Sequence, residues 1–194
     1  MNNLERKQTT KQKIIDAYWK LFKSKGKGNV YVTDISRIAK VNRATFYRNF
    51  IDVDEVLEEI EKKVIDRTRE IFYQEFNSDV FTSLIEDFII FDNELFDYYS
   101  TLLGYNGDPK FSYKLNKLIE EKTSKTPFFA SLAENERKIV TAMVIGIIKS
   151  IYELAKTGEI TTPPKQIYNF ILKILEKGFT SITSEEILSK YILK

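Results

Sequence analysis

The side chains best placed to do chemistry in this sequence lie between Val32 and Phe50, in the run VTDISRIAKVNRATFYRNF. Ile35, Ile38 and Ala39 fall at i, i+3 and i+4, which predicts a short helix with one narrow apolar face and Arg37 off that face. Asn42 is a good N-cap, because its side chain accepts from a backbone N–H of the following turn, and the helix it opens is expected to run from Arg43 to about Phe50. Phe46 and Phe50, four apart, anchor that second helix inward and leave Arg43, Thr45, Tyr47 and Arg48 on its other side. Arg bonds guanine in bidentate fashion in the major groove, whereas Thr and Tyr hydroxyls reach phosphate oxygens and set register. Two short helices around a tight turn, the second carrying exposed basic, hydroxyl and aromatic groups, have the layout of a helix-turn-helix DNA reader. The plainer alternative is an ordinary amphipathic helix pair with solvated charges.

The elements that must hold this stretch are also helical. Met1 to Gln8 reads as a flexible arm. Thr9 or Thr10 then caps a helix to about Lys25, with Ile14, Tyr18, Leu21 and Phe22 on one face and Gly26 ending it. Gly26 and Gly28 mark the loop over residues 25–29. After the stretch, Asp52, Asp54 and Glu55 place negative charge where a helix start favours it. Val56, Leu57, Ile60, Val64, Ile71 and Phe72 mark the buried stripe of a long helix expected to reach about Phe76. Helical periodicity returns over 78–91, 93–103 and 110–125, with the cluster Gly104-Tyr105-Asn106-Gly107-Asp108-Pro109 as a loop. A helix over 135–156 carries Ile139, Met143, Gly146, Ile147, Ser150, Ile151 and Leu154 on one face. Pro163-Pro164 opens a last long helix striped by Ile167, Phe170, Ile171, Ile174 and Gly178, and 183–194 forms a short terminal helix. The fold class is therefore all-α.

Composition narrows the chemistry. The 194 residues are 43% hydrophobic and 30% charged, ordinary for a folded domain. With no Cys and no His, thiolate metal sites, cysteine nucleophiles and the usual histidine base are excluded, while Mg-carboxylate and Lys chemistry stay open; neither a catalytic residue, a metal nor a cofactor is expected. Acidic pairs such as Glu58 with Glu61, Asp66 with Glu70 and Glu120 with Glu121 read as solvated helix faces. The longest apolar run, 142–148, is far short of the ~20 residues a membrane span needs, so a cytoplasmic protein without membrane contact is expected. Residues 1–50 hold 12 Lys or Arg against 3 Asp or Glu, while residues 51–194 hold 18 against 25. A basic head on an acidic body suits a phosphate-binding domain joined to one that does not bind DNA.

With the helix before it and the acidic helix start after it, the run Ile38-Ala39-Lys40-Val41-Asn42-Arg43-Ala44-Thr45-Phe46-Tyr47-Arg48-Asn49-Phe50 resembles the N-terminal DNA-binding domain of the TetR family of bacterial transcriptional regulators. The resemblance covers about a quarter of the chain. It implies that Arg43 and Ala44 face base edges, that Thr45 and Tyr47 hold phosphates, and that Lys11 and Lys13 near the first helix start are candidate phosphate contacts. Three positions depart from the pattern. Lys40 stands where the family usually has Gly, at a cost of order 1 kcal/mol should its φ be positive. Tyr31 replaces a capping, phosphate-touching Thr, leaving part of that role to Thr33. Val53 replaces a phosphate-binding Lys. The expected DNA-facing set is Tyr31, Thr33, Lys40, Asn42, Arg43, Ala44, Thr45, Tyr47, Arg48 and Asn49.

The resemblance further implies an N-terminal three-helix DNA-binding domain over 1–52 and a helical-bundle regulatory and dimerisation domain over 53–194. Phe72, Phe88, Tyr99 and Phe111, chosen for helical face and size, are candidates to line a pocket for a hydrophobic or aromatic small-molecule inducer; plain aromatic core packing is the alternative. Gly146, Ile147, Ser150, Ile151 and Leu154 with Ile167, Phe170, Ile171, Ile174 and Gly178 are expected to build a homodimer interface, the alternative being that both stripes are internal. The function implied is a ligand-responsive repressor binding a palindromic double-stranded DNA operator as a homodimer. A chromosome-bound structural or cell-division adaptor of the same fold is the alternative.

Overall fold

The computed structural model describes residues 3–74, 93–124, 131–163 and, within the last helix, 166, 167, 169–171, 173 and 174. The described residues form helices and loops without strands. In order they are α1 (Asn3–Lys25), α2 (Val32–Ala39), α3 (Arg43–Tyr47), α4 (Val53–Gln74), α5 (Asn93–Leu102), α6 (Pro109–Thr123) and α7 (Glu134–Thr157). The expected helices at 78–91 and 183–194 lie outside the described residues, as do Phe88 and Gly178. No helix among the described residues is long and apolar enough to cross a membrane.

The chain divides into two compact units, one formed by Met1–Glu70 with Leu95–Ile119 and the other by Ile71–Glu94 with Glu120–Lys194. In the first, α1 turns a face of Ile14, Ala17, Tyr18, Leu21 and Phe22 inward, all buried, as their 3- and 4-residue spacing requires. It begins at Asn3, so the arm expected up to Gln8 is helical from its third residue. Gly26 ends it at φ 75°, and its N–H donates to the Phe22 carbonyl at 2.8 Å. The Asp52 carboxylate accepts from the Glu55 N–H at 2.9 Å, and the Glu55 carboxylate from the Ile51 N–H, which satisfies amides at the α4 start. Val56, Leu57, Ile60 and Val64 then form the buried stripe of α4.

The turn between α5 and α6 needs its glycine. A Cβ on Gly107 would stand 2.1 Å from the Leu102 carbonyl oxygen, which the Asp108 N–H also approaches, at 3.1 Å. Asp108, only 3% exposed, caps α6 by accepting from the Lys110 N–H at 2.9 Å, with Pro109 at the first helical position. Burial pushes the Asp108 carboxyl up, but the Lys27 ammonium and the Lys110 amide outweigh it and hold it below the ordinary range.

Polar ties bind α1, the loop after it and α4 to 95–119. The Trp19 indole N–H donates to Asp97 at 2.9 Å, and Lys23 pairs with the same carboxylate at 3.0 Å. Lys27 pairs with Asp108, Thr68 bonds Tyr99, and Lys114 pairs with Glu61 at 2.6 Å. Glu61 corrects an expectation: it is fully buried rather than part of a solvated acidic face. It sits directly after Ile60 on the edge of the α4 stripe, and the Lys114 ammonium compensates it there. Burial raises its carboxyl pKa above the ordinary range, opposed by the Lys114 hydrogen bond.

In the second unit α7 carries two apolar faces. Val144, Ile145, Ile148 and Tyr152 are buried with Thr141, whereas Ile139, Met143 and Leu154 are exposed. Gly158 closes the helix in the left-handed conformation at φ 76°.

The pair Glu61 and Lys114 yields a stability test. Lys114→Met keeps the aliphatic stem but strands the buried carboxylate. At neutral pH the loss should be about 2 kcal/mol, below that of a fully buried pair because the ammonium side chain is 39% exposed. A carboxyl whose folded pKa is raised contributes stability that is full below the unfolded value and lost as pH rises through the folded one. The deficit should therefore shrink as pH falls toward ~4, where the neutral carboxyl needs no cation. Urea midpoints at both pH values read this out, and an equal deficit at each contradicts it.

Candidate nucleic-acid interface

The reader is assembled from α2, a turn and α3. Ile35 and Ala39 of α2 are buried against the unit, Ile38 is half-buried, and α2 packs between α1 and α3. Lys40 closes α2 at φ 54° and ψ 44°, in the left-handed region, and the Val41 N–H returns to the Ser36 carbonyl at 3.0 Å. This geometry is why Gly suits the position, and Lys40 holds it with strain of about 1 kcal/mol. The Asn42 side chain accepts from the Thr45 N–H at 2.7 Å, as expected of an N-cap. The helix it opens is shorter than expected: α3 ends at Tyr47, and Arg48 and Asn49 form a turn before Phe50. The Asn49 amide donates to the Thr45 carbonyl at 2.7 Å, a side-chain bond at the helix end.

Phe46 is wholly buried and Phe50 nearly so, their rings 6.0 Å apart. The opposite side is open. Arg43, Ala44, Tyr47 and Arg48 of the reader are exposed, with Tyr31, Thr33, Lys40 and Asn42 beside them, while Thr45 and Asn49 are half-buried. Tyr47 rests edge-on against Phe46 at 5.5 Å, so its ring is fixed by the core while its hydroxyl end stays in solvent. Tyr31 occupies the N-cap of α2 without a side-chain cap bond; its carbonyl accepts the Asp34 and Ile35 N–H groups instead.

Charge on this surface is uneven. Asp34 binds Lys25 at 2.9 Å and Arg37 at 3.3 Å, and these two cations, Lys25 first, hold its carboxyl below the ordinary range. Lys11 pairs with Glu59 of α4 at 2.8 Å and lies 5.4 Å over the Phe50 ring, so it serves the junction of α1, α4 and the reader. Arg48 donates to the Thr45 hydroxyl at 2.8 Å, a contact that spacing alone did not suggest. Lys40 and Arg43 form no ion pair among the described residues. Val53 begins α4, half-buried and apolar, and offers a phosphate no charge.

Other predicted residues are placed as follows. Tyr99 and Phe111 are completely buried, with ring centroids 5.8 Å apart, and pack as core of the first unit. Phe72 lies in α4, its side chain outside the described set. Gly146, Ser150 and Leu154 are exposed on α7, and Ile147 and Ile151 half-buried; of the last helix, Phe170 and Ile174 are exposed, Ile167 half-buried and Ile171 buried. Ile171 thus belongs to the chain's own interior.

A basic, exposed second helix seated on a buried Phe pair completes a helix-turn-helix. Residues 14–60 match the family model described as bacterial regulatory proteins, tetR family. The match spans about a quarter of the chain, and over that stretch the chain is similar to the DNA-binding domain of those regulators. No curated protein sequence matches it. Its fold is similar to that of a TetR transcriptional regulator from Streptococcus agalactiae, at 18% identity and TM-score 0.65 over 88% of this chain and 95% of that one. It is also similar to NalD from Pseudomonas aeruginosa, the secondary repressor of the MexAB-OprM multidrug efflux pump, at 15% identity and TM-score 0.65 over 90% and 97%. The fatty acid degradation regulator FadR from Bacillus halodurans matches at 17% identity and TM-score 0.56 over 84% and 96%. At these identities the likeness is one of fold.

Lys40→Gly separates strain from charge. The variant should gain about 1 kcal/mol of stability by relieving the left-handed backbone. Its affinity for duplex DNA should fall, and the salt slope of binding should shrink by about one unit. Thermal melting and titrations at two salt concentrations measure both, and a lower melting temperature contradicts the strain.

Proposed function

We propose that the chain is a cytoplasmic repressor that binds a palindromic operator as a homodimer, with 1–52 as its DNA-binding domain and 53–194 as its regulatory and dimerisation domain. The observation that carries this is the reading face itself: Arg43 exposed at the first position of α3, flanked by Lys40, Thr45 and Tyr47, over a buried Phe46. Arg43 reads a base edge, Ala44 lets the helix approach, and Thr45 and Tyr47 set register on phosphates. A two-fold dimer presents two readers roughly 34 to 36 Å apart, one helical turn of DNA.

Dimerisation is supported by the apolar side chains that a single chain leaves in water. Ile139, Met143 and Leu154 of α7, with Phe170 and Ile174, are each more than a third exposed. Gly146 and Ser150 on the same α7 face let a second helix approach closely. A hydrophobic or aromatic small molecule acting through the regulatory domain is the proposed release signal. Tyr99 and Phe111, both completely buried, are the candidates among the described side chains to line its site.

Arg43→Ala should cost about 1–3 kcal/mol on a duplex enriched from a random pool by the wild-type protein and far less on random duplex. Tyr47→Phe should weaken both alike. Equal loss on both duplexes for Arg43→Ala removes it from base reading. Gly146→Arg tests the dimer, because a Cβ there meets nothing within 4 Å and the single chain therefore accepts the side chain. Light scattering should give half the wild-type mass; an unchanged dimer mass takes this face out of the interface.

A further inference from the structure

Arg48 stands three residues after Thr45, and its guanidinium donates to the Thr45 hydroxyl at 2.8 Å. The other polar groups of Thr45 are held as well: its N–H goes to the Asn42 side chain and its carbonyl accepts from the Asn49 amide, each at 2.7 Å. A Thr hydroxyl has one proton to donate and two lone pairs. With Arg48 filling a lone pair, the hydroxyl rotor is biased to turn its proton outward, toward the exposed side of α3. No described group accepts that proton. The Thr45 N–H is already spent on Asn42, so an anion arriving here meets side chains rather than that amide. It finds an aimed O–H beside the remaining N–H donors of an exposed guanidinium.

We infer that Arg48 is a positioning residue for Thr45, and that the two together grip one phosphate of the DNA backbone. Arg48 orients and polarises the hydroxyl, the hydroxyl donates to a phosphate oxygen, and the guanidinium supplies the opposing charge. The arrangement is preorganised, so less freedom is lost on binding than with two independent side chains. Base reading then falls to Arg43, because one edge of the Arg48 fork is already committed. This inference rests on the DNA-binding reading of α3.

The full-length chain is titrated with a ~30-base-pair duplex of random sequence and with a duplex enriched from that pool by the wild-type protein, a span covering two half-sites one turn apart. Arg48→Ala should weaken both by about five- to tenfold. In a Thr45→Val background the same change should cost less than about twofold, the non-additivity expected of groups acting as one. Thr45→Ser, which keeps the hydroxyl, should restore the full effect of Arg48. Arg48 is exposed, so the melting temperature of Arg48→Ala should stay near that of wild type, and Arg48→Gln, which keeps a donor, should lose less affinity than Arg48→Ala. Equal losses with and without the Thr45 hydroxyl overturn the inference, showing an independent charge. A larger loss on the enriched duplex overturns it too, as the mark of a base reader. Wild-type protein that binds neither duplex fails the DNA-binding reading itself.

Discussion

A helix of five residues cannot hold itself together in water, because nucleation costs more than so few hydrogen bonds return. α3 therefore exists only because Phe46 is driven completely into the first unit, with Phe50 behind it and Asn42 capping the entry. The reading face depends on that one burial. With Phe46 fixed, the 100° step of the helix turns Ala44 to the far side and sets Arg43 and Tyr47 on the two flanks, and the Tyr47 ring leans on the Phe46 edge. Recognition groups on so short a helix are only as well placed as the side chain beneath them.

The support for that burial runs further along the chain than a division at residue 52 suggests. Lys27 in the loop before α2 meets Asp108, and Glu61 on α4 meets Lys114, so buried carboxylates face lysines on both sides of the reader's scaffold. Replaced by apolar groups, such pairs often leave stability unchanged, whereas losing one partner is costly. Their effect is to tie α1 and α4 to 95–119 at fixed points. α4 and α6 each begin in the first unit and end in the second.

The sequence made the reader legible because its determinants are local. Ile35 with Ala39 and Phe46 with Phe50 are set by helical spacing, the cap is a single Asn, and the left-handed turn is marked by what replaces glycine. Glu61 was not legible, because its partner lies 53 residues away and its position beside Ile60 and Val64 looks like any helix edge. The exposed α7 stripe was visible as a periodic pattern, but spacing cannot say which of two apolar faces the chain covers itself. The buried set of Val144, Ile145, Ile148 and Tyr152 runs between the predicted positions. α1 starts earlier than expected because the polar residues around Gln8 contain no breaker, so helix propagation continues through them.

Two of the three departures from the family pattern, Val53 and Lys40, act in one direction. Asp52, Glu55 and Val53 build the start of α4 for capping and for apolar contact, and the acid there repels a phosphate that a lysine would have drawn. At the turn, Lys40 accepts backbone strain and in return places next to Arg43 a cation with no ion pair among the described residues. Strain at a surface turn persists when the surrounding helices over-determine the backbone, and here α2 and α3 are both fixed by buried side chains. Positive charge has thus moved off the α4 start and onto the reader, where Lys40, Arg43 and Arg48 lie within nine residues. On the proposed reading of α3, counterion release comes from the same few residues that set register and read sequence, with less separation between grip and readout than the usual family pattern implies.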